Sequence, residues 1–394
     1  MKKICVVFPY SMGNDFMSGG VTKLVIENLI AAKNNYETYL LMPINNEAFK
    51  EYVNVNIPEI KVRLVDFDFI AQYADTSNVF KRVAAILKRT IRALAKRKNL
   101  INAIEQIKPD IVHLHAEVTF MFMKMIKEKG YTIIFHTSSI RFAENKLLRK
   151  IVSDKAYKYA DYIISPTKSI DNLYMNKRKY VVENPIVKQP QKQGDAIIES
   201  SFTNDNRIKL IFTGRICRVK QIHYLVEVLG KLNKKYLDQI AVYIIGKANN
   251  DGDKAYYDEI LDEVNKKNIT NIYFLGYKTN VNDYLKYADV GVLLSKSEAI
   301  SMSCVEYMNA GLLVLGFNNP GINEAVVDKY NGRLIEDGDV NGLVRAVETF
   351  VDMKDDLKQM KINAKKYAEE HFSTQVFENN LRGIYEEILD GKDC

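Results

Sequence analysis

The chain has 394 residues, of which 47% are hydrophobic and 27% charged, the composition of a globular protein whose length suits two domains at roughly 100 to 200 residues each. A net charge of +7 is too small at this size to point to nucleic acid by itself, and no stretch approaches the ~20 apolar residues that span a bilayer. Four scattered cysteines, Cys5, Cys217, Cys304 and Cys394, offer no CxxC and no spacing suited to a metal, so they read as idle thiols of a reducing compartment.

The opening MKKICVVFPYSMG has an apolar run that ends at Pro9, too short for the core of a secretion signal. It reads as a first strand, and the expected location is cytoplasmic. Further strands are predicted at Thr38 to Met42, Val62 to Val65, Asp110 to Leu114, Thr132 to Phe135 and Tyr162 to Ser165. After Asn184 the chain turns rich in Pro, Gln, Asp and Asn without a sustained period, which predicts a linker over 187–206. Strands resume at Lys209 to Thr213, Ala241 to Ile245, Ile272 to Leu275, Val290 to Leu294 and Leu312 to Leu315. Apolar strands alternating with helical patterns predict doubly wound parallel sheets covered on both faces. The expectation is therefore α/β, with two Rossmann-like domains, 1–186 and 207–372, whose sheets turn their carboxyl ends toward one central cleft. A last helix over 373–394 is expected to return to the first domain.

Lys81 to Leu100 carries eight basic residues and no acidic one. At 100° per residue Val83, Leu87, Ile91 and Leu94 share one face, while Lys81, Lys88, Arg89, Arg92 and Lys96 share the opposite one. Two readings stand side by side: a core-packed helix with a solvated basic back, or a surface that meets anionic lipid, making the protein peripheral on the inner face of a membrane. Nucleic acid is not expected, since no groove-reading motif accompanies the charge.

Several stretches could carry chemistry. Gly19 and Gly20 follow the first strand and open a helical pattern, where a backbone can approach an anion. No GxGxxG is present, so a dinucleotide cofactor is not supported. His136 ends a strand and precedes three hydroxyl residues, placed to hydrogen-bond a sugar hydroxyl or move a proton. His113 and His115 alternate along another strand and read as structural. Gly214 and Arg215 end the strand IFT, with Lys220 five residues on; a rigid fork and a flexible point charge together suit a diphosphate leaving group. Finally, Ser295 to Gly311 (SKSEAISMSCVEYMNAG) holds Glu298 and Glu306 seven residues apart. A helix beginning near Ser301 would turn its free N–H groups toward an anion lying between them.

The Glu298-x7-Glu306 spacing, together with Gly214-Arg215 and Lys220, resembles the retaining glycosyltransferases of the GT-B fold, glycosyltransferase family 4. The resemblance extends from the first glycine loop to the last helix. It implies that the second domain holds a nucleoside-diphosphate sugar, commonly a UDP-sugar, while the first receives a glycan or lipid-linked glycan acceptor, as in surface polysaccharide synthesis. Arg215 and Lys220 would bind the diphosphate, Glu306 the ribose, and Glu298 and His136 would stand at the transferred sugar. Gly19, Gly20, Gly214, Ser301, Met302 and Ser303 would line the donor, with Tyr277 near the base. Ala299, Ile300 and Ser301 replace the Gly-Phe-Gly that often follows the first glutamate, which bears on donor-sugar identity. The pairs Asp66/Asp68, Asp251/Asp253 and Asp337/Asp339 imitate a metal-binding Asp-x-Asp, but short Asp pairs are common in turns; no metal cofactor is expected. A non-catalytic GT-B partner subunit, or a GT-B epimerase or phosphorylase, are the alternatives.

Overall fold

The computed structural model describes residues 1–10, 20–68, 79–138, 146–175, 178–186, 198–298, 301–353 and 356–391, and only the backbone of 20, 79–89 and 356. The chain divides into two compact units, Met1–Val187 with Thr374–Cys394, and Lys188–Ser373.

In the first unit, strands β1 (Lys3–Val7), β2 (Glu37–Pro43), β3 (Lys61–Val65), β4 (Ile111–His115), β5 (Thr132–His136), β6 (Tyr162–Ser165) and β7 (Lys179–Val181) form one sheet in the order β3-β2-β1-β4-β5-β6-β7. Every pairing is parallel. The central strands are buried end to end because helices cover both faces. Its longer helices are α1 (Gly20–Lys33), α2 (Glu47–Asn56), α3 (Val79–Ile107), α4 (Phe120–Glu128) and α5 (Lys146–Tyr159).

The second unit repeats the plan with β8 (Ile208–Thr213), β9 (Ile240–Ile245), β10 (Ile272–Gly276), β11 (Val290–Leu293), β12 (Leu313–Phe317) and β13 (Gly332–Ile335), ordered β10-β9-β8-β11-β12-β13 and parallel throughout. Its longer helices are α6 (His223–Lys231), α7 (Asp251–Lys266), α8 (Met302–Asn309), α9 (Val340–Asp352) and α10 (Asp356–Phe372). Leu210, Phe212, Val242 and Val292 on one sheet face pack against Leu225 of α6 and Phe350 of α9. In each sheet the order reverses direction beside the first strand, β1/β4 and β8/β11, and ligands of open α/β sheets bind at the carboxyl ends of the strands there.

Part of the predicted linker is structured. Residues 187–197 lie outside the described residues, but from Ile198 on the chain packs against the second sheet. Phe202 is fully buried, and the Asp205 carboxylate binds Arg207 at 2.7 Å and Tyr243 at 2.6 Å. Of the two readings of the basic helix, the core-packed one does not hold for the face the sequence assigned to the core. On α3 it is Ala93, Leu100, Ile104 and Ile107 that are buried, while Ile91 and Leu94 are 60% and 46% exposed. Arg92 and Lys96 turn instead to Asp68 (3.5 Å) and Asp66 (2.5 Å).

The tail helix α11 (Thr374–Leu389) returns to the first unit, inserting Phe377, Leu381, Ile384 and Tyr385 into the core beside α1. Burying each such side chain stabilises by roughly 1.5–3 kcal/mol. The contact also confines a carboxyl. Glu27 of α1 is buried, and burial followed by the nearby Glu378 of α11 raises its pKa from 4.5 to about 7. A carboxyl raised in the folded state favours folding while it is protonated. Its contribution is complete below the usual pKa of 4.5 and is lost as the pH rises to about 7. Glu27→Gln is therefore expected to raise stability at pH 8 by on the order of 1–3 kcal/mol, with no gain near pH 4. Thermal unfolding at the two pH values measures this, and an equal effect at both would show that Glu27 is not the titrating group.

Candidate active site

The second unit's candidate residues gather at the carboxyl ends of β8 and β11. Helix α8 begins directly after Ser301, whose backbone is extended and whose hydroxyl accepts the Cys304 N–H at 3.4 Å. Ser301 thus caps the helix as its residue type favours, and the helix start falls where the sequence places it. Ala299 and Ile300 lie outside the described residues.

Four hydrogen bonds to one residue, Thr213, fasten α8 to the sheet. The Tyr307 hydroxyl accepts the Thr213 N–H at 2.7 Å and lies 3.0 Å from the Thr213 hydroxyl, and the Ser303 hydroxyl donates to the Thr213 carbonyl at 3.0 Å. Ser303, expected as a donor-lining residue, has its side chain in this clasp. The approach needs glycine beneath it: a Cβ on Gly291 of β11 would stand 2.1 Å from the Tyr307 ring. At the neighbouring strand end, a Cβ on Gly246 would stand 1.8 Å from the Gly214 carbonyl oxygen. Gly214 follows Thr213 at once, so the clasp sets where Gly214 and Arg215 leave the sheet.

The charges are arranged around this frame. Lys220 ends a single 3₁₀ turn, Arg218–Lys220, and its Nζ contacts the Glu298 carboxylate. Gln221 next to it adopts a left-handed conformation with φ 51° and donates to the Leu294 carbonyl at 3.0 Å and to Asp337 at 2.9 Å, tying the loop after β8 to the end of β11. Arg215 lies 3.6 Å from the buried carboxylate of Asp253 in the first turn of α7. Met302 and Glu306 lie on α8, both half-buried. Tyr277 stands apart, 57% exposed, with Lys247 Nζ 4.6 Å from its ring centroid. The sequence reading missed Gln221 and the role of Asp253; both follow from contacts 116 and roughly 40 positions away.

Each Asp pair has a structural partner. Asp66 and Asp68 hold Lys96 and Arg92. Asp253 holds Arg215. Asp337 accepts from Gln221, and Asp339 caps α9 by accepting the Gly342 N–H at 2.8 Å.

In the first unit, Gly20 opens α1 and Gly19 lies outside the described residues. His136 ends β5, paired in register with His115 of β4, and both are fully buried with His113. Among the described residues these three form the one cluster of metal-capable side chains, with nitrogens within 4.8 Å of one another. Their geometry does not suit a shared ion. An imidazole lone pair lies in the ring plane, and the His113 and His115 rings are stacked at 4.5 Å with planes 7° apart, so no single point lies close to both planes. Burial lowers the basicity of all three rings, that of His136 to a pKa of about 3, so they are neutral at neutral pH.

Glu117, which the sequence reading passed over, belongs to the same strand end. It is fully buried and accepts the Ser138 N–H at 2.9 Å. It opens a single 3₁₀ turn, Glu117–Thr119, just past the end of β4, so the two-residue alternation of the strand did not point to it.

Residues 194–367 match the family model described as Glycosyl transferases group 1. An uncharacterized glycosyltransferase of Methanocaldococcus jannaschii is 23% identical over 386 residues, covering 90% of this chain and 91% of that one. The UDP-Gal:alpha-D-GlcNAc-diphosphoundecaprenol alpha-1,3-galactosyltransferase of Escherichia coli is 25% identical, covering 68% and 74%. The crystal structure of Anabaena HepE in complex with UDP superposes with a TM-score of 0.76 at 14% identity, covering 98% of this chain and all of that one. The fold is thus that of the GT-B glycosyltransferases.

The clasp makes a prediction. Tyr307→Phe leaves the nearly buried Thr213 N–H without its acceptor and is expected to cost about 1–3 kcal/mol; Gly291→Ala is expected to cost at least as much through overpacking. Denaturant unfolding reads both, and unchanged midpoints would mean that α8 is not held by this contact.

Proposed function

Taking the chain as a glycosyltransferase, as its group 1 domain and its relatives show, we propose that it transfers a sugar from a UDP-sugar to a glycan or lipid-linked glycan, with retention at the anomeric carbon. The observation that carries this reading is the meeting of Lys220 and Glu298 between the end of β8 and the start of α8, with Arg215 on the same loop. Departure of a nucleoside diphosphate develops negative charge on phosphate and positive charge on the sugar. Lys220, Arg215 and the first-turn N–H groups of α8, around Ser301, Met302 and Ser303, answer the first. Glu298 answers the second. Gly214, lacking a side chain, leaves room for the phosphates, and Glu306 accepts the ribose hydroxyls. Two fixed cations carry the diphosphate charge in this scheme, so it calls on no divalent metal. In the same scheme His136 of the first unit meets a substrate hydroxyl, and Tyr277 of the second stacks near the base.

Support for uridine comes from the HepE structure, solved with UDP, and from the Escherichia coli relative, whose name gives UDP-Gal as donor and a diphosphoundecaprenol-linked sugar as acceptor. The latter also favours a lipid-linked acceptor and a part in surface polysaccharide synthesis. No helix among the described residues is long and apolar enough to cross a membrane. Contact with a membrane surface through α3 belongs to the same proposal, because Ile91 and Leu94 are exposed on a helix rich in Lys and Arg.

Thermal unfolding with UDP, GDP, ADP and CMP, without added metal, tests the donor site. At ~100 times its dissociation constant a ligand of the folded state stabilises by about 2.7 kcal/mol. UDP is expected to raise the midpoint, and Glu306→Ala to abolish most of the rise. A protein indifferent to all four nucleotides would sink the proposal. For the membrane, co-sedimentation with vesicles containing anionic lipid is expected to drop at least severalfold in Ile91→Asp/Leu94→Asp; equal recovery of variant and wild type would rule α3 out as the contact.

A further inference from the structure

The buried histidines of the first unit are joined to the tail helix by a row of hydrogen bonds that has a direction. His113 Nδ1 lies 2.7 Å from the Tyr385 hydroxyl of α11, and His113 Nε2 lies 3.2 Å from His136 Nδ1. The Tyr385 hydroxyl is 3.1 Å from the Asn28 amide oxygen on α1, and the Asn28 amide nitrogen is 3.4 Å from His113 Nδ1. Asn28, His113, His136 and Tyr385 are all fully buried. His136 Nε2 is buried and has no hydrogen-bond partner among the described residues.

Each nitrogen of a neutral imidazole carries either one hydrogen or one lone pair, so fixing a proton at one end of the row fixes the rest. The Asn28 oxygen can only accept, and it takes the Tyr385 hydroxyl proton. The Tyr385 oxygen then accepts His113 Nδ1–H across the shorter of the two contacts to that nitrogen, and the Asn28 amide nitrogen at 3.4 Å faces this N–H without bonding to it. His113 Nε2 is left bare and accepts His136 Nδ1–H. In the reverse arrangement Tyr385 and Asn28 would both donate to the single lone pair of His113 Nδ1, the Asn28 oxygen would lose its donor, and His136 would hold a buried Nε2–H with no acceptor among the described residues. A stranded buried donor costs about 1–3 kcal/mol, whereas a bare acceptor is tolerated more often.

We propose that Asn28, Tyr385 and His113 are positioning residues that hold His136 in its Nδ1–H tautomer, so that Nε2 presents a lone pair to a substrate hydroxyl. The use of that lone pair rests on the reading of His136 given under Proposed function; the tautomer does not. Burial keeps the ring neutral across the physiological range, so the lone pair is present whenever the enzyme works. Through Tyr385 the tail helix sets the chemistry of a residue 249 positions earlier in the chain, as well as closing the core.

The test is long-range proton–nitrogen correlation NMR on the full chain labelled with nitrogen-15 in its five histidines, with His113→Gln and His136→Gln used for assignment. Both rings are expected to be protonated at Nδ1 and bare at Nε2. Wild-type His136 protonated at Nε2 overturns the inference, and needs no variant to fold. Tyr385→Phe keeps the ring that packs edge-on to Tyr36 but removes the hydroxyl. It is expected to shift proton occupancy at both histidines and to lower kcat about tenfold or more with KM little changed. Unchanged tautomers in a folded Tyr385→Phe protein overturn the relay. The expected spectrum together with undiminished turnover by His136→Gln supports the tautomer and overturns its catalytic use, leaving transfer by Glu298 and Lys220 unaffected.

Discussion

The second unit's site depends on how closely one helix can be drawn onto the end of one strand. Thr213 has three polar groups, its N–H, carbonyl and hydroxyl, and all of them face α8 through Tyr307 and Ser303. Such a contact between residues 90 and 94 positions apart works only if the intervening strand leaves room, and Gly291 of β11 leaves it. With α8 held there, the loop carrying Gly214, Arg215 and Lys220 and the loop carrying Glu298 must leave the sheet side by side. Oriented hydrogen bonds and close packing set the geometry; the charges occupy positions already fixed.

The first unit solves a different problem. Its strand ends carry His113, His115, Glu117 and His136 with no exposed surface, in a region where an unpartnered charge would be costly. The imidazoles meet this by staying neutral, and Glu117 by accepting a backbone N–H from Ser138. The arrangement proposed for this row keeps the short Tyr385–His113 contact as a hydrogen bond, whereas its reverse would give His113 Nδ1 two donors for one lone pair.

Much of this was legible from residue order. Strands such as Tyr162–Ser165 and Thr132–His136 are apolar throughout and flanked by helical patterns, so period and length suffice to find them. β7 and β13 escaped because Lys179–Val181 and Gly332–Ile335 are short edge strands of mixed polarity. The core-packed reading of α3 took the wrong face because charge was used to decide which side meets solvent, whereas Asp66 and Asp68 draw Arg92 and Lys96 toward the protein and Ala93 packs inward instead. Spacing along the chain brought Glu298 and Glu306 to notice and, with the pattern after β8, Arg215 and Lys220. It could not find Asn28 and Tyr385, because their link to His113 spans 85 and 272 positions and neither residue type is distinctive by itself.

The carboxylates beside the cations explain why the charged set reads as a unit. Lys220 and Glu298 are both largely buried, and Arg215 sits against a buried Asp253. A lone cation in such surroundings would swing toward water, whereas one held by a carboxylate stays in place. Under the proposed transfer the same carboxylates would limit how tightly an anion is held, because a diphosphate would share Lys220 with Glu298. Sharing would have a chemical use in that scheme: as negative charge grows on the leaving phosphate Lys220 would be drawn toward it, and Glu298 would be released to face the positive charge growing on the sugar. One cation between two anions would then couple the two halves of a single bond cleavage, a role that neither Lys220 nor Glu298 could fill with the other removed.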